Sequence, residues 1–543
     1  MKLPWPDRRS RLLWILPTVF FAALTAYVTH PQVRDLRSTV GLHGDALFSV
    51  WRLAWIARQL PRDPLTVFDA NIFYPERNTL AFSDAILLPG AMLAPAHWVG
   101  VPPLVVYNVF LLATFTVCGL AMFALVRSLT GSIAAGLLAG MSFAFCTHRL
   151  EHFERLELLT SFWMPVCLLF LHRATSSDGT AKHYVLASVC ATAQVLTGIY
   201  HGIFLLTYLA LFLPSLLINR LRHVPVALAL TLLMPALVLA LYSQPYMANR
   251  QRVGERPVAE VKAYSATLSN FIASHPNNRL YGATTSRFGQ AERFLFPGVV
   301  AVLLAILACW PPLGRLPMVY LIGLALAVLL VVGFNGPLYP LLYEYALPYR
   351  GLRVPARANV LVGLSLSVLA GFGAARLLTL VRSRGARAGL AGVLLVAATA
   401  EYAAAPPLRT VPQPSRWTGW LARQERGPVF EWPTATPERL DVNDDTLYMY
   451  FSTFHWQPLV NGYSGFYPPR YVRLLDQVRD FPDEPSLSYL KQHGIRYLIV
   501  HAVPADRRRY DAAIQWLRQR SDVEMLLSDP HDELRTTILL MKP

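Results

Sequence analysis

The chain has 543 residues, of which 54% are hydrophobic and only 15% charged, and its mean hydropathy is +0.37. A soluble globular protein carries roughly 25% charged residues, so this deficit, together with repeated apolar runs of about 18–22 residues, excludes an ordinary soluble enzyme and indicates a polytopic α-helical membrane protein. The net charge of +16 belongs entirely to residues 1–405, because residues 406–543 hold 17 basic and 17 acidic side chains; in the loops of a membrane domain such an excess sets topology, and no nucleic-acid partner is expected.

In chain order, Lys2, Arg8, Arg9 and Arg11 precede the apolar run Leu12–Val28. The run is long, contains a proline and lacks a small-x-small cleavage site, so it reads as an uncleaved first helix with a cytoplasmic basic flank. A long polar outer loop, 30–103, follows. It carries His43-Gly44-Asp45 just before Ala46–Leu60, whose apolar residues recur at helical spacing and predict an amphipathic helix lying on the membrane surface. Asp45 reads either as the N-cap of that helix or as a general base placed just outside the first span. Ser83 and Asp84 read as the cap of the next helix. Ala85–Val101 is apolar but short and broken by Pro89 and Pro95, which predicts a re-entrant or interfacial helix.

Further spans are predicted near 104–126, 132–147, 157–171, 184–200, 202–218, 224–242, 294–310, 316–333, 359–379 and 388–405, about eleven in all. Arg127, Arg173, Arg220, Arg315 and Arg382 fall in loops that the count places in the cytoplasm, as the positive-inside rule requires. An odd number of spans puts the C-terminal segment outside. The five cysteines all lie in apolar segments, which argues against a disulfide framework or a cysteine zinc site.

Three outer features carry candidate chemistry. Residues 146–157 hold seven ionisable side chains, including His148, Arg149, His152 and Glu154, at the mouth of two apolar helices. They read as a salt-bridged hairpin, as a rim that binds phosphate or positions an acceptor hydroxyl, or as a metal site built from His148 and His152 with Glu151 or Glu154. Arg350, Arg353 and Arg357 sit just before a span on the side where topology does not call for arginine; they suit a phosphate headgroup or snorkelling to lipid. Glu292-Arg293 and Tyr200-His201 occupy outer ends of spans and are candidates to line the same cavity.

Pro406, Pro407, Pro412 and Pro414 read as a linker to a small extracytoplasmic α/β domain, 406–543. There the strands are predicted at 427–433, 495–501 and 536–541, and the helices at 486–493 and 505–520. The turn-rich, aromatic stretch 460–469 reads as a sugar-stacking platform or as a tight packing loop. No P-loop, dinucleotide fingerprint or serine-hydrolase elbow is present.

Gly44-Asp45…Trp51…Phe73-Tyr74-Pro75…Ser83-Asp84, Tyr107-Asn108, Arg149…His152…Trp163-Met-Pro165, Leu352-Arg-Val-Pro-Ala-Arg357 and Asn461-Gly-Tyr-Ser-Gly465 together resemble a group of uncharacterised bacterial membrane proteins. That group is placed in the GT-C superfamily of polyprenyl-phosphate-sugar glycosyltransferases. The resemblance covers nearly the whole chain through the order of its elements. It implies a bacterial inner-membrane enzyme with Asp45 as base. The donor is a lipid-linked sugar and the acceptor a glycan, lipid or protein. His43, Asp84, His148, Arg149, His152, Glu154, Arg350, Arg353 and Arg357 become candidate substrate or phosphate ligands. Several GT-C families carry paired carboxylates where this chain has Gly44-Asp45, so a divalent metal has no such motif here and no cofactor is expected with certainty. The competing readings are a transporter or flippase of a lipid-linked substrate and a membrane-anchored binding module.

Overall fold

The computed structural model describes residues 8–438, 444–502 and 507–542. Lys2 of the basic N-terminal flank, and residues 505–506 at the start of a predicted helix, lie outside the described residues. A helix occupies each predicted apolar segment. Six helices are long and apolar enough to cross a membrane: Pro103–Thr130, Ile133–Glu151, Leu156–Ala174, Ile199–Leu216, Ile218–Tyr242 and Pro355–Leu380. Trp14–Val28, Val299–Cys309 and Arg315–Val331 are apolar but shorter. The chain is a membrane protein.

Two compact units form. The first comprises the described residues up to Arg34, then Val109–Tyr242 and Glu255–Pro406. Its helices approach closely where glycine removes a side chain. A Cβ on Gly373 of the helix Asn359–Leu380 would overlap the Leu304 carbonyl oxygen of Val299–Cys309. A Cβ on Gly119 would meet the Phe21 ring at 2.6 Å, and one on Gly140 would overlap the same ring, so two glycines form the seat for one buried aromatic. Without a hydrophobic drive between helices in lipid, such small-residue contacts let packing hold them together.

The second unit joins Asp35–Asn108, Ser243–Gly254 and the chain from Pro407 onward. The stretch expected to be a proline linker is partly a strand: β1 (Thr39–Gly41) pairs antiparallel with β2 (Leu408–Thr410). Four strands, β3 (Val429–Trp432), β4 (Tyr497–Val500), β5 (Val523–Ser528) and β6 (Thr537–Met541), form a sheet in the order β3-β4-β6-β5. The pair β3/β4 is parallel, and β6 runs antiparallel to both β4 and β5. β3 and β4 are buried throughout; β4 is continuously apolar, whereas β3 buries Glu431, whose Oε2 lies 2.7 Å from His501 Nε2.

The helix Asp45–Gln59 is not the surface helix its periodicity predicts. Twelve consecutive residues, Ala46–Ala57, are buried. Its polar side chains are satisfied internally: Arg52 donates to the Asp84 carbonyl and to Ser49 Oγ at 2.8 Å, and its guanidinium lies 4.3 Å from the Phe48 ring centre. Trp51 Nε1 donates to Asn71 Oδ1 at 3.0 Å, and Trp55 Nε1 to the Val67 carbonyl at 2.8 Å. The helix packs against Leu87–Trp98 and Asp444–His455. Leu87–Trp98, with 12 residues, spans about 18 Å at 1.5 Å per residue, too short to cross a bilayer core. Its N-cap is Ile86 in the left-handed region (φ 46°), so Ser83 and Asp84 are not its cap.

Candidate functional site

Asp45 is the first residue of its helix and Gly44 occupies the N-cap, with no side-chain cap bond, so the N-cap reading of Asp45 fails. Its carboxylate sits in the first turn, where the helix dipole favours negative charge. Tyr463 donates its hydroxyl to Asp45 Oδ1 at 3.0 Å. His43 Nδ1 lies 3.2 Å from Asp45 Oδ2 and accepts the Asp45 backbone N–H at 3.2 Å. The Asp45 side chain keeps 15% of its surface exposed. It is therefore held in place with part of its surface exposed. Asp84 is half-buried, and its carbonyl serves as the Arg52 acceptor.

Tyr463 reaches Asp45 because 459–461 is hydrogen-bonded along residues 71–74. Leu459 N–H donates to the Asn71 carbonyl, Tyr74 N–H to the Leu459 carbonyl and Phe73 N–H to the Asn461 carbonyl, at 2.8–3.3 Å. Asn461 is fully buried; it accepts the Glu431 N–H at 2.8 Å and donates to the Glu431 carbonyl at 2.9 Å. A Cβ on Gly462 would meet the Phe73 ring at 2.6 Å. The stretch read as a sugar platform is thus a packing loop that also delivers the Tyr463 hydroxyl. Nothing in the sequence pairs positions 45 and 463.

In the other unit, the 146–157 rim and Arg357 meet at one carboxylate, Glu292. Arg357 forms a two-pronged pair with it, Nε to Oε2 at 3.0 Å and Nη2 to Oε1 at 2.6 Å. Arg155 Nη1 donates to Glu292 Oε1 at 2.5 Å and to His152 Nδ1 at 3.1 Å. Burial of Glu292 pushes its pKa up, but the Arg155 and Arg357 guanidiniums outweigh that and hold it well below the ordinary carboxylate range. Burial keeps His152 well below the ordinary imidazole value, so it is neutral, despite the nearby Glu292 charge. Glu292 adopts φ 67°, uncommon for a non-glycine residue and a mark of local strain. Arg149 is buried and donates to the Ala144 and Leu159 carbonyls at 2.8 and 2.7 Å, tying the two helix ends together rather than facing a ligand. Glu154 is buried as well. His148, Glu151 and His152 place one donor atom each within 4.8 Å of one another.

The three predicted arginines do not form one phosphate cluster. Arg357 is committed to Glu292, Arg353 lies 3.8 Å from Glu260, and Arg350 lies 4.0 Å from Glu255. Arg350 and Arg353 retain 37% and 31% of their side-chain surface, against 10% for Arg357. Only the first two are accessible to an anion. Arg357 instead stacks over Tyr200 at 5.1 Å, and the Tyr200 hydroxyl accepts the Arg353 N–H at 2.6 Å.

A family model described as a domain of unknown function (DUF6311) matches residues 18–335, more than half of the chain. The chain belongs to this family. No curated protein matches it. Among solved structures, it is similar to a mycobacterial arabinofuranosyltransferase, AftD (TM-score 0.60, 18% identity), over 99% of this chain and 42% of that one. It is also similar to the oligosaccharyltransferase of Archaeoglobus fulgidus (TM-score 0.52, 12% identity), over 90% of this chain and 69% of that one. The chain thus spans less than half the length of the arabinofuranosyltransferase. The chain shares its fold with these two solved structures.

Proposed function

We propose that the protein is a GT-C-type glycosyltransferase of the bacterial inner membrane. It transfers a sugar from a polyprenyl-phosphate donor to a cell-envelope acceptor, with inversion at the anomeric carbon. The N-terminus is cytoplasmic, about eleven helices span the bilayer, and the outer loop and the C-terminal α/β segment face outside. The observation that carries the reading is the Asp45 carboxylate, partly exposed at a helix start and oriented by the Tyr463 hydroxyl. The GT-C fold supports it.

In this scheme Asp45 accepts the proton of the acceptor hydroxyl as that oxygen attacks the anomeric carbon. The lipid phosphate departs as an anion. Within the first unit, Arg350 and Arg353 are separate candidate phosphate ligands, because planar guanidiniums suit phosphate oxygens. Their present carboxylate partners lie at 3.8–4.0 Å, loose enough to be exchanged for a phosphate. Arg155, Arg357 and Glu292 act as a buried brace beneath this rim. His43 and Asp84 flank the helix on which the base stands.

The test is transfer from a polyprenyl-phosphate sugar by the purified protein in proteoliposomes. Asp45→Asn should lower the rate by about 10²–10⁴-fold, the usual worth of a general base, with an unchanged gel-filtration profile. Tyr463→Phe should lower it by about 10–100-fold, matching about 1.5–3 kcal/mol for a hydrogen bond to a charged group. Full activity of Asp45→Asn would overturn the assignment. Movement of the lipid across the bilayer without a new glycosidic bond would favour a flippase.

A further inference from the structure

We infer that His148, Glu151 and His152 form a buried binding site for one divalent transition-metal ion of the zinc class. The site is independent of the role assigned to Asp45. The short helix Thr147–Glu151 and its C-cap His152 set the three residues at i, i+3 and i+4, which brings them onto one face. One donor atom from each lies within 4.8 Å of the other two. His148 is 3% exposed and His152 1% exposed.

The second observation is the state of those donors. Both ring nitrogens of His148, Oε1 of Glu151 and Nε2 of His152 are buried and make no hydrogen bond among the described residues. Buried polar atoms left unpaired are costly, and one donor from each of the three residues, gathered within 4.8 Å, suits a shared electrophile. Two imidazoles and one carboxylate are a common donor set for zinc and leave a fourth position open. Imidazole nitrogen also admits cobalt, nickel or iron, while a magnesium or calcium ion prefers all-oxygen ligands.

The surroundings fit an ion. His148 and His152 stand at 83° to each other with ring centres 4.6 Å apart. Glu151 Oε2 is oriented by the Phe294 backbone N–H at 3.3 Å, leaving Oε1 for the ion. Arg155 can only donate to His152 Nδ1, so the neutral ring carries its proton on Nε2. An ion at Nε2 takes the place of that proton, which moves to Nδ1 as Arg155 shifts wholly onto Glu292, with which it is already paired. Glu292 lies 3.7 Å from His152 Nε2 and its single charge offsets one of the two guanidiniums paired with it, while the Glu151 carboxylate brings a second negative charge to the ion. The ion would clamp the turn between Ile133–Glu151 and Leu156–Ala174.

The experiment uses the full chain in detergent, stripped with chelator, dialysed against zinc and then against micromolar chelator, with bound zinc measured by elemental analysis. About one equivalent should remain on the wild type and on His531→Ala, an exposed control. The His148→Ala/His152→Ala double variant should retain less than a tenth of that. Equal retention by the double variant, or none by the wild type, overturns the site. Should the double variant aggregate, cobalt(II) on the wild type decides: the strong visible absorption of a low-coordinate nitrogen- and oxygen-ligated ion supports the site, and a weak octahedral spectrum overturns it.

Discussion

Glu292 shows how one residue can hold several others. It accepts hydrogen bonds from Arg155 and from both prongs of Arg357 while 8% exposed. Removing its charge strands the buried Arg357 guanidinium and the partly buried Arg155, and breaking a buried pair by losing one partner costs about 3–5 kcal/mol. Glu292→Gln should therefore destabilise the protein by that order in a denaturant titration in detergent. The sign of its pH dependence follows from the depressed pKa. A carboxylate held below its ordinary 4.5 contributes stability that is fully present above pH 4.5 and is lost as pH falls toward its lowered folded value. Wild-type stability should drop below pH 4.5, and the Glu292→Gln variant should show a flatter acid limb. An acid limb of equal slope would show that other carboxylates dominate there. Asp45 differs from Glu292: its side chain is partly exposed, and a phenol and an imidazole lie beside it.

Among elements, the helix Asp45–Gln59 and the pair Val299–Cys309 and Asn359–Leu380 illustrate opposite uses of sequence pattern. The first reads as amphipathic, yet the outer-loop helix Leu87–Trp98 and the late helix Asp444–His455 cover it, and its arginine becomes a core residue. The second pair is predominantly apolar, so periodicity says little, and a single missing Cβ sets how close the helices come. Gly373→Ala should destabilise by about 1–3 kcal/mol, the usual cost of overpacking. Gly389→Ala, where a Cβ meets open space, should be close to neutral in the same unfolding assay.

At the scale of the molecule, the second unit is assembled from three separated segments. β1 lies in the first outer loop and its partner β2 lies after the last apolar helix. The backbone bonds between 71–74 and 459–461 stitch the same two regions together. A chain ending at Pro406 should therefore leave 35–108 without half of its partners. Limited proteolysis of such a truncation should cut within 35–108 at least tenfold faster than in the full chain, while the helices after Val109 stay protected. Equal protection of 35–108 would mean that the loop folds without the C-terminal segment.

Much of this molecule is written locally. Apolar run length and charge asymmetry depend only on the solvent each segment meets, so the membrane class and the helical segments are readable from the chain. β3, β4 and β6 were legible as short apolar strands, and the 146–157 run announced itself by its density of ionisable groups. Asp45 and Arg357 stood out by position, but position did not reveal the carboxylate that Arg357 meets. Its partner is 65 residues away, and Glu292 reaches it from a left-handed backbone that no residue type there demands. Tyr463 meets Asp45 across 418 positions. The sequence alone determined solvent, helices and the inventory of charges, because those follow from neighbours along the chain. Only the tertiary structure decided which charge meets which and which donors stay unpaired, because those depend on segments brought together by packing from opposite ends of the polypeptide.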